Sequence, residues 1–123
     1  MRRIPDASRV ALAALLALAC AGAQASPSHP APEPLWVADG FSTPESVVFD
    51  PQRNVFYVSN MATRGEDAVP GDGFVSRLDA EGRILDLQWV TGLENPKGLA
   101  LANGRLYAGD DDALVEIDIE AGR

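Results

Sequence analysis

Cysteine and histidine are almost missing from this 123-residue chain, which has Cys20 and His29 alone. With one thiol no disulfide can form within the chain, so apolar burial has to hold the fold. With one imidazole no Ser–His–Asp triad can be assembled. Zinc spacing and a phosphate-cradling glycine loop are absent as well. Basic residues are scarce, ten Lys and Arg against eighteen Asp and Glu. That balance argues against electrostatic binding to nucleic acid or anionic lipid. The longest apolar run, residues 10–19, is too short to cross ~30 Å of hydrocarbon as a helix. Beyond it, no stretch has helical periodicity with a cap.

What is present begins with an export signal. Arg2, Arg3 and Arg9 precede the apolar run, and Ala23-Gln24-Ala25 supplies a small-x-small cleavage pattern. Residues 1–25 are expected to be removed, giving a periplasmic or secreted protein. The alternative is a lipoprotein acylated at Cys20, although residues 17–20 lack the usual leucine three before the cysteine. Cleavage leaves seven basic and seventeen acidic residues, a net charge of about −10. Residues 26–34 hold four prolines and read as a linker. His29 lies within that linker, where nothing fixes it as a ligand or a base.

From Leu35 onward the signals are those of short strands. Val47–Phe49 and Val55–Val58 are β-branched and aromatic runs on either side of a turn at residues 50–54. Their continuous apolarity predicts inner strands covered on both faces. Strands at 73–79 and 84–90 follow, and Leu85, Leu87 and Trp89 alternate with polar residues as on a half-buried outer strand. Asn103-Gly104 marks a hairpin between 99–101 and 106–108, and Val115, Ile117 and Ile119 alternate in the last strand.

The chain also repeats itself. Trp36-Val37, Gly40-Phe41-x-x-Pro44 and Phe56-Tyr57 return as Trp89-Val90, Gly92-Leu93-x-x-Pro96 and Leu106-Tyr107. Arg77-Leu78-Asp79 with Gly82-Arg83 returns as Glu116-Ile117-Asp118 with Gly122-Arg123. Once an 11-residue insertion near residues 61–71 is set aside, the unit is about 40 residues, the length of a propeller blade. The expected fold is all-β, a β-propeller with two blades present. Residues 35–90 are the first blade, with an insertion loop at 61–72, and 91–123 are the second, incomplete one. Two blades leave an open face and an unpaired edge, so further blades from a longer chain, or association, are expected.

Residues 40–50, 56–60 and 72–76 resemble the opening of the regucalcin/gluconolactonase/luciferin-regenerating-enzyme superfamily, in particular its exported bacterial branch. Pro96-Lys97-Gly98-Leu99 and residues 106–110 resemble both that family and NHL-type repeats. The likeness spans residues 36–123, the first two of six blades. It implies a sugar-lactone hydrolase with one divalent metal, Ca²⁺ or Mg²⁺, held at the channel mouth by a glutamate, two asparagines and an aspartate. Glu45 matches the glutamate, and hard oxygen ligands suit such a metal. A Pro-Asn-Gly step common in the family is Pro96-Lys97-Gly98 here, and lysine does not replace a neutral oxygen ligand.

Each candidate has two readings. Glu45 is a metal ligand or an exposed turn carboxylate. Lys97 contacts an anionic ligand or pairs with Glu45 between blades. Asp110, within Asp110-Asp111-Asp112, belongs to a cation site or to a solvated turn. Asp72 is a ligand or part of a Gly-Asp-Gly surface loop, and that loop is expected to shape a binding face. Trp36 and Trp89, at equivalent repeat positions, are expected to pack. Two functions stay open: a metal-dependent lactone or ester hydrolase completed by other blades, or a non-catalytic NHL-like propeller binding a small ligand or a partner protein. In both, this segment alone is expected to be inactive.

Overall fold

The computed structural model describes residues 29–63 and 65–123. Residues 1–28, with the expected export signal and Cys20, lie outside the described residues. The chain divides into two units, Met1–Glu33 and Pro34–Arg123. Of the first, residues 29–33 are described, and they are exposed and without regular structure, His29 included.

The second unit is all-β, with no helix among the described residues. Its first sheet is an antiparallel meander of β1 (Pro44–Asp50), β2 (Val55–Asn60), β3 (Gly73–Asp79) and β4 (Ile84–Leu93). The second holds β5 (Pro96–Ala102), β6 (Arg105–Asp110) and β7 (Ala113–Asp118).

Short polar turns set the register. The Asp50 carboxylate accepts the N–H groups of Gln52 and Arg53, and Asn54 takes a positive φ to start β2. Between β5 and β6, Asn103 and Gly104 are both left-handed, at φ 51° and 74°, as a two-residue hairpin matching strand twist requires. Asp79 and Asp118 close the third strand of each sheet in the same way. Asp79 accepts the N–H groups of Glu81 and Arg83 and a bond from the Arg83 guanidinium. Asp118 accepts those of Glu120 and Ala121 and is bonded by Arg105.

These bonds favour the charged form. The Asp79 carboxyl is held below the usual carboxylate range first by the Arg83 N–H, with the Arg83 side chain adding to it. The Asp118 carboxyl is lowered first by the Ala121 N–H and then by Arg105. A depressed folded-state pKa stabilises the fold above the ordinary range, and that contribution is lost as pH falls through the folded value. Thermal midpoints should therefore drop on acidification below ~pH 4. Asp79→Asn with Asp118→Asn should flatten the acid limb while lowering the midpoint at neutral pH; an unchanged acid limb would count against the two turns as its source.

Pairing of β1, β2 and β3 puts Val48, Tyr57 and Arg77 in one row, and Val47, Val58 and Ser76 in the next, on opposite faces. On the first face Val48, Val55, Tyr57 and Val75 meet the second sheet's Leu99, Leu101, Leu106, Ala108, Val115 and Ile117. Tyr57 and Val75 are fully buried there, and Trp89 stacks on Tyr57 at 4.9 Å. Each such burial contributes about 1.5–3 kcal/mol. On the opposite face Trp36 meets Phe56 edge-on at 5.4 Å, with Phe49 beside it.

Two expectations about covering are corrected. Strand β1 is covered on one face, since Val47 is 58% exposed and Phe49 is exposed beside it; β1 is an edge strand, and Trp36 reaches Phe56 without covering Val47. Strand β4 is exposed along its first half, Leu85 and Leu87 included. The second sheet packs through β5 against β1, β2 and β3, so only the far end of β4, at Trp89, Val90 and Leu93, enters the core. Both tryptophans pack as expected, each over the turn of a sheet. Gly82 lies under the Trp36 ring, and Gly122 lies against Trp89.

Candidate functional site

A meander alternates strand direction, so the start of β1, the end of β2, the start of β3, the end of β4, the start of β5 and the end of β6 share one end of the sheets. Glu45, Asp72, Lys97 and Asp110 all stand at that end. An open cleft of about 360 Å³ lies there, walled by the insertion loop (Gly65, Ala68, Val69, Pro70), the β4–β5 connection (Glu94, Asn95) and Lys97, with Ala62, Thr63 and Asp111 at its margins. The insertion thus shapes this face, as its position in the repeat predicts.

Backbone bonds hold the walls. The insertion starts inside the core, with Met61 and Ala62 buried and the Met61 N–H bonded to the Thr43 carbonyl. The Asp72 carboxylate accepts the Thr63 N–H at 3.1 Å, closing the loop at its neck. Asp72 does not line the cleft. Glu94 accepts the Gly71 N–H at 3.0 Å and ties the loop to the second sheet.

Asp110 is buried at the end of β6, unlike its neighbours Asp111 and Asp112, which are exposed as a solvated turn predicts. Its two oxygens accept the N–H groups of Glu94 and Asn95, at 2.9 and 2.6 Å. The repeat carries the same device in the first sheet: Asn60, at the end of β2, accepts the Ser42 N–H at 3.0 Å. Asp110 is thus a fastener for the connection into β5. Asn95 in turn donates its side-chain amide to Asp111 at 3.1 Å.

Lys97 is the one basic side chain among the described lining residues. Its carbonyl is fixed by the Ser59 hydroxyl, which donates to it at 2.6 Å across the two sheets. Its ammonium group forms no ion pair within 4.0 Å among the described residues, so the expected Glu45–Lys97 pair is corrected: adjacent repeat positions on β1 and β5 do not bring the two charges into contact. Glu45 is exposed at the start of β1 and does not line the cleft. Among the described residues no group of three His, Cys, Asp or Glu is placed to hold a metal ion. Glu45 alone does not fit the divalent metal that the resemblance implies.

Reading the sequence picks out Lys97 and the loop but misses Glu94 and Asn95. Their signal was the repeat itself, in which residues 94–95 stand where 42–43 stand, before the proline that opens the next sheet. Comparison of the chain with protein-family models, with curated proteins and with solved structures finds no match.

Proposed function

We propose that this end of the two sheets is a small-molecule binding face on an exported β-propeller segment of gluconolactonase-like ancestry, and that Lys97 anchors an anionic or carbonyl oxygen of the ligand. The observation carrying this reading is the Lys97 ammonium, which has no ion-pair partner among the described residues, in a cleft whose carboxylates are already bonded, Glu94 to Gly71 and Asp111 to Asn95. Donors (Lys97, Asn95), acceptors (Glu94, Asp111) and the apolar wall of Val69 and Pro70 together suit a compact polyhydroxylated acid or lactone.

Calorimetry with gluconate and glucono-lactone is the test. A charge-assisted bond contributes about 1.5–3 kcal/mol, so Lys97→Ala should weaken gluconate binding roughly ten- to a hundredfold with the circular dichroism spectrum unchanged. Lys97→Arg should recover part of it. Equal affinity in Lys97→Ala, or no gluconate binding by the unmodified chain, would remove the proposal. Lactone hydrolysis is the second reading. It rests on Glu45 and calls for Ca²⁺ or Mg²⁺ ligands from blades beyond these two sheets, so lactone loss with this chain under either metal should not exceed the uncatalysed rate in buffer.

A further inference from the structure

Lys97 is the only lysine in the chain, and it stands at an irregularity of the ladder. On β5 the register advances three residues from Pro96 to Leu99 while β6 advances two, from Asp110 to Ala108. Lys97 and Gly98 therefore share Gly109 as their opposite residue, in a β-bulge that takes the Lys97 peptide out of regular pairing. Strand β1 carries the same bulge one repeat earlier. There Pro44 pairs with Asn60 and Ser46 with Ser59, leaving Glu45 as the extra residue. Bulges of this kind re-aim a side chain at the rim of a sheet.

A bulge leaves backbone groups that the ladder does not fix, and on β5 a side chain from the other sheet takes over that task. The Ser59 hydroxyl, fully buried near the end of β2, donates to the Lys97 carbonyl at 2.6 Å. The same oxygen accepts the N–H of Ser46, the residue that follows Glu45, at 3.1 Å. One hydroxyl thus joins the bulge of the first sheet to the bulge of the second. The second sheet supplies no counterpart of its own. In the repeat Gly109 precedes Asp110 as Ser59 precedes Asn60, and glycine has no side chain to offer.

We infer that Ser59 is a positioning residue of the binding face: its hydroxyl holds the Lys97 peptide so that the amine enters the cleft in one direction. This rests on the reading of Lys97 as the anchor of the ligand. An ammonium on a flexible four-carbon stem gives up rotamer freedom when a ligand fixes it. A loose backbone beneath it would add its own freedom to that loss. Holding the peptide in advance removes this second part and so strengthens binding. Ser59 does not line the cleft, so its effect on the ligand passes through Lys97.

Because the chain has one lysine, protein grown on ¹³C-lysine gives the carbon signals of Lys97 alone. In Ser59→Ala the Lys97 carbonyl signal should shift as its bond is lost, and the side-chain carbons should relax as a more mobile group. Gluconate should bind roughly three- to tenfold more weakly by calorimetry. In a Lys97→Ala background the same change should alter affinity by less than about twofold, because the two residues act as one. Ser76→Ala is the control for loss of a buried hydroxyl. Ser76 is as buried as Ser59, donates to the Leu87 carbonyl and accepts the Asn60 amide. Its removal should lower the thermal midpoint and leave the Lys97 signals and gluconate affinity in place. Ser59→Cys, with a weaker donor in similar volume, should move the signals and the affinity in the same direction, and it decides the matter if Ser59→Ala does not fold. Unmoved Lys97 signals, undiminished gluconate affinity, or signals displaced as far by Ser76→Ala would each overturn the inference. If the unmodified chain binds no gluconate, the anchoring reading fails by itself, and the lysine signals still decide whether Ser59 holds the amine.

Discussion

Gly73→Ala is expected to be strongly destabilising. A Cβ built at Gly73 would lie 2.7 Å from the carbonyl oxygens of Leu93 and Glu94 and 2.7 Å from the Pro96 ring. None of those atoms is the end of a flexible side chain: two are backbone and the third is locked in a pyrrolidine. Relief requires moving the β4–β5 connection away from β3, and that connection carries Glu94, Asn95 and Lys97. Overpacking of this kind costs about 3 kcal/mol or more, a large part of the ~5–15 kcal/mol that holds a domain folded. Gly104→Ala is the control. It has positive φ but open space around the new carbon, so only backbone strain of about 1–2 kcal/mol is added. Urea midpoints should place Gly73→Ala well below Gly104→Ala, and equal midpoints would mean that the connection yields freely.

Asp110→Ala should come next, at about 2–4 kcal/mol, because two charge-assisted backbone bonds disappear and leave the N–H groups of Glu94 and Asn95 without acceptors. Asp110→Asn should retain roughly half of the loss, since Asn60 performs the equivalent task for one N–H at the end of β2. Amide hydrogen exchange at residues 94 and 95 reads the effect directly: both should exchange faster in Asp110→Ala, and Asn95 should be the more affected in Asp110→Asn. Gluconate affinity should fall with them, because those two residues wall the cleft. Slow exchange at both positions in Asp110→Ala would show that the connection is held by something else.

The strands were written plainly in the sequence where local chemistry determines them. Gly73–Asp79 and the start of β4 at Ile84 fall where turn residues and β-branched runs put them, and Asn103-Gly104 makes the hairpin that its left-handed backbone favours. Covering was less legible. An apolar triplet such as Val47-Val48-Phe49 reads as doubly buried, but burial depends on what lies across the face, which is a property of neighbouring sheets. The site was legible only in part for the same reason. Lys97 stands out as an oddity in a motif, whereas the cleft joins residues from position 62 to position 111, brought together by strand reversal rather than by spacing. Asp110 was hidden in a run of three like residues, where only its alignment with Asn60 sets it apart.

The bond between the Thr63 N–H and Asp72 has a consequence for how this surface can change. It shuts the connection between β2 and β3 at its base, with Met61 and Ala62 anchored below it and Gly73 fixed above. Length changes within a loop closed in this way add little entropy, about 0.6 kcal/mol for a doubling. Substitutions and insertions between the two ends can therefore accumulate without disturbing either sheet. The segment is an exchangeable cassette, whose length and side chains can vary while the framework below it stays constant.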